Sequence, residues 1–311
     1  MVDVVISYDY ELCWGVWDIV PLHYARTHVA RANAAARGLV ALHRKYQVPS
    51  TWAMVGAMLA ESAPAALMAE TARPTSQAEA FAAYVDSLAE HERGGLFRAD
   101  PEVLDALDQD RSLFEPASHT FSHIYALDAA SDTLVDDFAR FDAVFRTRFG
   151  RKAVSLVFPK NQSTEEAVRI ARRFGFNKMR VNPRNWLYEQ RRRNRAEALV
   201  IRALRYLDSF LPILELLPDR KGEDPALVSG QYFFRPAFPA RFLDYLHAAR
   251  LRVALWYCHQ QGRSCHFWSH PHNFGGDPER ALANAERLLA YLKQQEAKGC
   301  VRLRLMKEQA P

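Results

Sequence analysis

The 311-residue sequence has only four cysteines, Cys13, Cys258, Cys265 and Cys300, and none of them stands in a Cys-x-x-Cys spacing. That excludes a small disulfide-stapled scaffold, and predicts buried thiols in a reducing compartment rather than bridges or zinc ligands. No run of about 18 apolar residues occurs, so no membrane-spanning helix is expected. The opening Met1-Val2-Asp3-Val4-Val5-Ile6 lacks the basic start and small-residue cleavage site of an export signal, which predicts a soluble, cytoplasmic protein. No glycine-rich phosphate loop follows the first apolar run, where Tyr8-Asp9-Tyr10-Glu11 stands instead, and a dinucleotide-binding fold loses its main support. There is no repeat and no low-complexity linker.

What is present suits a large folded core: 49% of the residues are hydrophobic and 25% charged, with a net charge of +5. The positive charge is local. Between Lys178 and Arg205 there are nine Lys or Arg against two acids, whereas the rest of the chain carries 32 basic against 34 acidic residues. This basic stripe comes without a zinc-finger, basic-zipper or RNA-recognition signature, so no nucleic-acid partner is expected.

Short β-branched or aromatic runs alternate with helical patterns along the whole chain, which predicts parallel strands joined by crossover helices. Eight runs stand out, at 2–8, 50–55, 113–117, 153–158, 177–181, 231–235, 265–269 and 301–306. Helical spacing covers 26–46, 133–149, 164–174, 240–259 and 278–298. The pattern alone fits a barrel or a doubly wound sheet. The missing phosphate loop favours the barrel, in one domain spanning 1–311 with a helical insertion near 189–224. Chemistry in such a barrel gathers at the carboxyl ends of its strands.

Three strand ends carry ligand-type residues. The first ends in Ser7-Tyr8-Asp9-Tyr10-Glu11, whose period of two puts Asp9 and Glu11 on one side. The third runs into His119-Thr120-Phe121-Ser122-His123, two imidazoles four residues apart that would share one side of a helical turn and chelate a divalent metal. The seventh runs into Ser269-His270-Pro271-His272. Singly, each has an ordinary structural explanation, but together they form a candidate site.

Taken in order, these residues resemble the polysaccharide deacetylases of the NodB homology type, carbohydrate esterase family 4, over most of the chain. Ser7-Tyr8-Asp9-Tyr10-Glu11 is similar to the family's Thr-Phe-Asp-Asp-Gly, and His119-Thr120-Phe121-Ser122-His123 matches its His-Ser/Thr-x-x-His. Val157-Phe158-Pro159-Lys160 resembles Arg-x-Pro-Tyr with the arginine absent and Lys160 as a substitute. Asn182-Pro183-Arg184-Asn185-Trp186 resembles Asp-x-x-Asp-Trp with both acids replaced by amides, and Ser50-Thr51-Trp52-Ala53 is similar to the usual second strand.

The resemblance implies a distorted (β/α)7-8 barrel and a divalent metal held by Glu11, His119 and His123: Zn2+ first, with Co2+, Mn2+ or Ni2+ as alternatives. It implies Asp9 as base, with exchange of roles with Glu11 left open, and His270 as acid, with His272 in reserve. The oxyanion would lie against the metal and a backbone N–H near Lys160. Trp14, Trp17, Asn161, Asn182, Arg184, Trp186 and Arg235 are candidates for binding substrate. The expected reaction is removal of an N-acetyl or N-formyl group from an amino sugar of bacterial surface polysaccharide (O-antigen or capsule) biosynthesis, on a lipid-linked or nucleotide-linked precursor. The missing arginine leaves a catalytically silent sugar-binding module as the alternative. Finally, Arg191-Arg192-Arg193-Asn194-Arg195 followed by the apolar stretch from Leu199 to Leu214 predicts either an ordinary crossover helix or one that lies on the inner face of the membrane.

Overall fold

The computed structural model describes residues 1–62, 64, 66–67, 75–189, 194–217 and 224–309. Among these residues nine strands, all parallel, form one sheet: β1 (Val2–Tyr10), β2 (Ser50–Met54), β3 (Phe114–Ser118), β4 (Ser155–Val157), β5 (Lys178–Val181), β6 (Leu227–Ser229), β7 (Tyr232–Phe233), β8 (Cys265–Ser269) and β9 (Val301–Arg304). The order is β6-β5-β4-β3-β2-β1-β8-β7. β9 pairs with the first half of β1, while β2 pairs with its second half. The sheet curls into the distorted (β/α)7-8 barrel, left open between β6 and β7 among the described residues.

β1 is buried over all nine residues because helices cover its outer side and the barrel interior its inner side. Val4, Ile6, Tyr8 and Tyr10 join the outer core under the helices. Val5, Ala53, Ala117, Val157, Val228 and Met306 form a separate small interior cluster, drawn from five strands and the turn after β9. Ser7 and Asp9 share the parity of Val5, so the same alternation that builds the interior lifts them to its upper, carboxyl end.

The main helices are α1 (Leu12–Val16), α2 (Ala32–Tyr46), α3 (Ser131–Phe149), α4 (Glu165–Arg173), α5 (Arg195–Leu207), α6 (Arg241–Gln261) and α7 (Pro278–Ala297). α3 shows why the pattern was readable: Leu134, Phe138, Phe141, Phe145 and Phe149 recur at three and four residues, all buried, and Gly150 ends the helix in the left-handed conformation. The single helix expected over 26–46 is instead two, Leu22–Thr27 and α2, joined by a 3-10 turn. The break lets His28 pack on the loop after β8, where a Cβ on Gly275 would lie 2.1 Å from the His28 carbonyl oxygen. The insertion between β5 and β6 holds α5 and a short helix, Ile213–Leu216. Arg250 of α6 pins it through Asp208 (3.2 Å) and Glu215 (2.6 Å).

Candidate active site

Strand ends bring Asp9, Glu11, His119, His123, Lys160, Asn161, Asn182, Arg235 and His270 to the lining of one cavity of about 900 Å3. At its floor, Glu11 Oε2 lies 3.2 Å from His119 Nε2 and 3.1 Å from His123 Nε2, and all three side chains are buried. His119 Nδ1 donates to the Val157 carbonyl at 2.8 Å, so in the neutral ring Nε2 carries a lone pair. A lone pair facing a carboxylate oxygen at that distance is repulsive without a proton or a cation between them. Among the described residues this is the one cluster suited to a metal, its ligand atoms all within 4.8 Å of one another. The donor set of two imidazoles and a carboxylate fits a divalent cation such as zinc and leaves a position open.

The histidine pair does not lie on a helical turn, as its spacing suggested. Thr120 and His123 both have positive φ, and buried Asp137 of α3 holds the loop by accepting from the Phe121 N–H (2.7 Å), the Ser122 N–H (3.0 Å) and the Ser122 hydroxyl (2.5 Å). Of the six non-glycine residues with positive φ among the described residues, five (Leu12, Thr120, His123, Lys160 and Asn161) flank or belong to this site. Such conformations persist only where the surroundings impose them. Gly15 is required for room rather than for backbone freedom. A Cβ there would sit 2.1 Å from Glu11 Cδ, so only glycine leaves the carboxylate its place.

Asp9 is 3% exposed and meets a cation that the sequence motifs did not single out. Arg180, in the middle of β5 and 0% exposed, donates to Asp9 Oδ2 (2.5 Å), Ser7 Oγ (2.7 Å) and Asn161 Oδ1 (2.9 Å). Burial would raise the Asp9 carboxyl, but Arg180, with His119 and His270, holds it below its ordinary value. The other oxygen, Oδ1, is buried with no hydrogen-bond partner. Arg180 lies directly across the β4–β5 ladder from Val157, the position at which the resembling motif carries its arginine. Its signal was an arginine inside a short apolar strand, which the charge count folded into the basic stripe. Lys160 does not substitute for it, since its ammonium lies over the Tyr125 ring (3.7 Å) and near Asp18 (3.9 Å).

Burial would also raise Glu11, but the imidazoles of His270, His119 and His123 hold its carboxyl well below the usual range. His270 Nε2 lies 3.7 Å from Asp9 and 3.6 Å from Glu11. Asn273 Nδ2 donates to His270 Nδ1 at 3.1 Å, which places the proton of the neutral ring on Nε2, toward the carboxylates. His272 is buried beneath it, stacked on His270 with ring centroids 4.8 Å apart, and does not line the cavity. Burial pushes His272 down to about 3.

The aromatic and polar candidates divide. Asn161 and Asn182 line the cavity, as does Arg235. Trp14 does not: it is 1% exposed, stacked on Phe81, with its Nε1 donating to the Phe97 carbonyl, because α1 turns it into the core. Trp17 packs edge-on against Phe81 as well. Arg184 and Trp186 line a neighbouring cavity of about 560 Å3, which they share with Asn182. The amides that replace the motif's acids are Asn182 and Asn185, and the second is buried. The walls also include Arg202, Arg205 and Tyr206 of α5, read from the sequence as part of a crossover or membrane-surface helix, and Phe233 of β7.

Comparison with known proteins agrees with this arrangement. Residues 28–179 match the family model described as polysaccharide deacetylase. No curated protein matches the chain in sequence. A Mycobacterium smegmatis crystal structure named as a polysaccharide deacetylase is 16% identical, with a TM-score of 0.58 over 98% of this chain and 87% of that one. A 4-alpha-glucanotransferase from Thermococcus litoralis is 10% identical, with a TM-score of 0.53 over 99% of this chain and 40% of its own. A family 4 carbohydrate esterase from Streptomyces lividans, solved with acetate, is 8% identical with a TM-score of 0.47, over 99% of this chain and 96% of that one. The family match covers just under half of the chain, and the solved structures with TM-scores above 0.5 show that the barrel fold is shared.

Proposed function

We propose that this chain, as one domain over 1–311, is a metal-dependent amidohydrolase that removes an N-acetyl or N-formyl group from an amino sugar of bacterial surface polysaccharide (O-antigen or capsule) biosynthesis. The observation that carries the reading is the Glu11 carboxylate facing two imidazole Nε2 atoms beside a buried Asp9 with one unpartnered oxygen. Glu11, His119 and His123 would hold the cation. When bound, a divalent cation supplies Lewis-acid polarisation of the acyl carbonyl and acidifies a water.

The chain's own residues do the rest. Asp9 Oδ1 takes a proton from water as the new O–C bond forms at the acyl carbon, and Arg180 keeps Asp9 ionised and oriented for this. The N–H of Lys160, in its left-handed turn, serves the developing oxyanion. His270 Nε2–H protonates the departing nitrogen as the C–N bond breaks, leaving a carboxylic acid and a free amine. The presence of Arg180 favours this reading over a silent sugar-binding module.

The substrate would be a lipid-linked or nucleotide-linked precursor at the inner face of the membrane. α5 lines the cavity with Ile201 and Arg202 while exposing Leu199, Val200 and Leu207. On α6 the exposed side chains include Phe242, Leu246, Val253 and Trp256, and its one acid, Asp244, is buried against Arg280. Apolar faces flanked by arginine, with Glu197 the one half-exposed acid of α5, suit an anionic bilayer surface. Of the basic run, Arg195 is exposed, while Arg191, Arg192 and Arg193 lie outside the described residues. Side-by-side assay of N-acetyl, N-formyl and O-acetyl sugars tests the reaction class: amine release is expected, and activity on O-esters alone would defeat the amide reading.

A further inference from the structure

Arg235 is a guanidinium without an acid. It follows β7 by two residues, and its carbon lies over three rings, Phe233 (5.3 Å), Tyr206 (5.5 Å) and Phe238 (5.6 Å). Its Nε is buried with no hydrogen-bond partner, and among the described residues no carboxylate pairs with it. Arg180, fully buried behind Asp9, is by contrast saturated by three acceptors, whereas Arg235 is half-buried at the cavity wall. Burying an unmatched guanidinium donor costs free energy that a bound anion would restore, and an aromatic cradle holds the fork ready for one.

The position is suited to substrate. Arg235 lines the same cavity as the Glu11 cluster, and one ring separates it from the chemistry: Phe233 is 5.8 Å from the His270 ring and 5.3 Å from the Arg235 guanidinium. That is the scale of one sugar ring with its substituent. Among the described residues the only acids lining the cavity, Asp9 and Glu11, are engaged by Arg180 and the imidazoles. Away from them the wall is cationic, with Arg202 beside Tyr206 on α5, while the fork of Arg205 is held by the Leu187 carbonyl.

We propose that Arg235 is an anion-recognition residue of this cavity, so that the N-acyl sugar it takes carries a phosphoryl or carboxylate group beside the acylated position. The inference rests on the amidohydrolase reading only for what happens at the other end of the ligand. Burial lowers the basicity of Arg235, as expected of a cation that lacks its counter-ion.

Calorimetry on the zinc-loaded protein tests it without requiring turnover. The probes are N-acetylglucosamine, N-acetylglucosamine 1-phosphate and N-acetylmuramic acid, which differ in whether the anion is absent, phosphoryl or carboxylate. The wild type is expected to bind one anionic probe at least tenfold tighter than the neutral sugar, and whichever it prefers identifies the anion. Arg235→Gln should abolish that preference while leaving neutral-sugar affinity within twofold, and Arg235→Lys should keep part of it. Equal affinity of the wild type for all three probes overturns the proposal whatever the variants do. So does equal weakening of all probes by Arg235→Gln, which would make the residue an aromatic-stacked structural pillar. Preference for an anion with no amine release from any probe would sink the hydrolase reading and leave the anion site standing; amine release without preference would do the reverse.

Discussion

Replacing Arg180 by Met should separate the two services that this residue renders to Asp9. The guanidinium is fully buried and donates three hydrogen bonds, one of them to a carboxylate that is itself only 3% exposed. Removing one partner of a buried pair leaves an uncompensated charge and typically costs about 3–5 kcal/mol. For a chain of this size that is a fall in thermal midpoint of roughly 5–10 °C. The second effect is on titration. With Arg180 present, Asp9 sits below its ordinary value, so its stabilising contribution is present above the unfolded value and lost as pH falls through the folded one. In Arg180→Met burial is opposed only by His119 and His270, the carboxyl rises, and the acid limb of amine release moves to higher pH. Arg180→Lys should keep the charge but lose the fork, giving a smaller shift. The double exchange Arg180→Val with Val157→Arg moves the guanidinium one strand across the ladder at the same level, and should recover part of both losses. Amine release from pH 5 to 9, with metal content measured in each variant, is the assay. Unchanged stability together with an unmoved acid limb in Arg180→Met would refute the assigned role.

Gly15→Ala should lower metal affinity at least tenfold by pushing the Glu11 carboxylate aside, measured by competition with a chelating dye; unchanged affinity would show that Glu11 is not a ligand. Asp137→Ala, which frees three donors of the His119–His123 loop, should weaken metal binding similarly although it touches no ligand atom. His43 and His247 are buried and pushed down to about 4 from an ordinary 6.5, so each contributes stability above pH 6.5 that is lost as pH falls toward 4. The loss is about 3 kcal/mol apiece. Urea midpoints at pH 7 and pH 4.5 should differ less in His43→Gln than in the wild type. Sedimentation with anionic vesicles should carry the protein down at low salt, and changing Arg191, Arg192, Arg193 and Arg195 to Gln, or Leu199 and Trp256 to Glu, should leave it in the supernatant; a wild type that stays there at low salt would end the membrane reading.

The fold was legible wherever burial imposed a period. The strands at 2–10, 50–54 and 265–269 and helices such as α3 repeat apolar residues strictly enough to be read without tertiary knowledge. β6 was not, because three residues carry no period, and the break at His28 was not, because its cause is a loop about 250 residues away. The site divides on the same line. Glu11, His119 and His123 could be nominated from their types and spacing, but the loop that aims the two histidines is set by Asp137, an acid within a helix pattern that nothing marks out. Trp14 was misjudged because adjacency in sequence says nothing about which side of α1 faces the cavity. Arg180 was hidden by counting charge along the chain, which treats a buried cation and a solvated one alike.

Whether Glu11, His119 and His123 hold one catalytic divalent cation beside the base Asp9 decides the proposed chemistry. Titrating metal-free protein with Zn2+ while following amine release from N-acetyl and N-formyl hexosamine 1-phosphates tests this most directly. Activity should rise to a plateau at one equivalent per chain, disappear in the His119→Ala/His123→Ala variant together with the metal, and disappear in Asp9→Asn with the metal still bound. Full activity in the metal-free protein, or one bound equivalent in the double variant, would contradict the assignment.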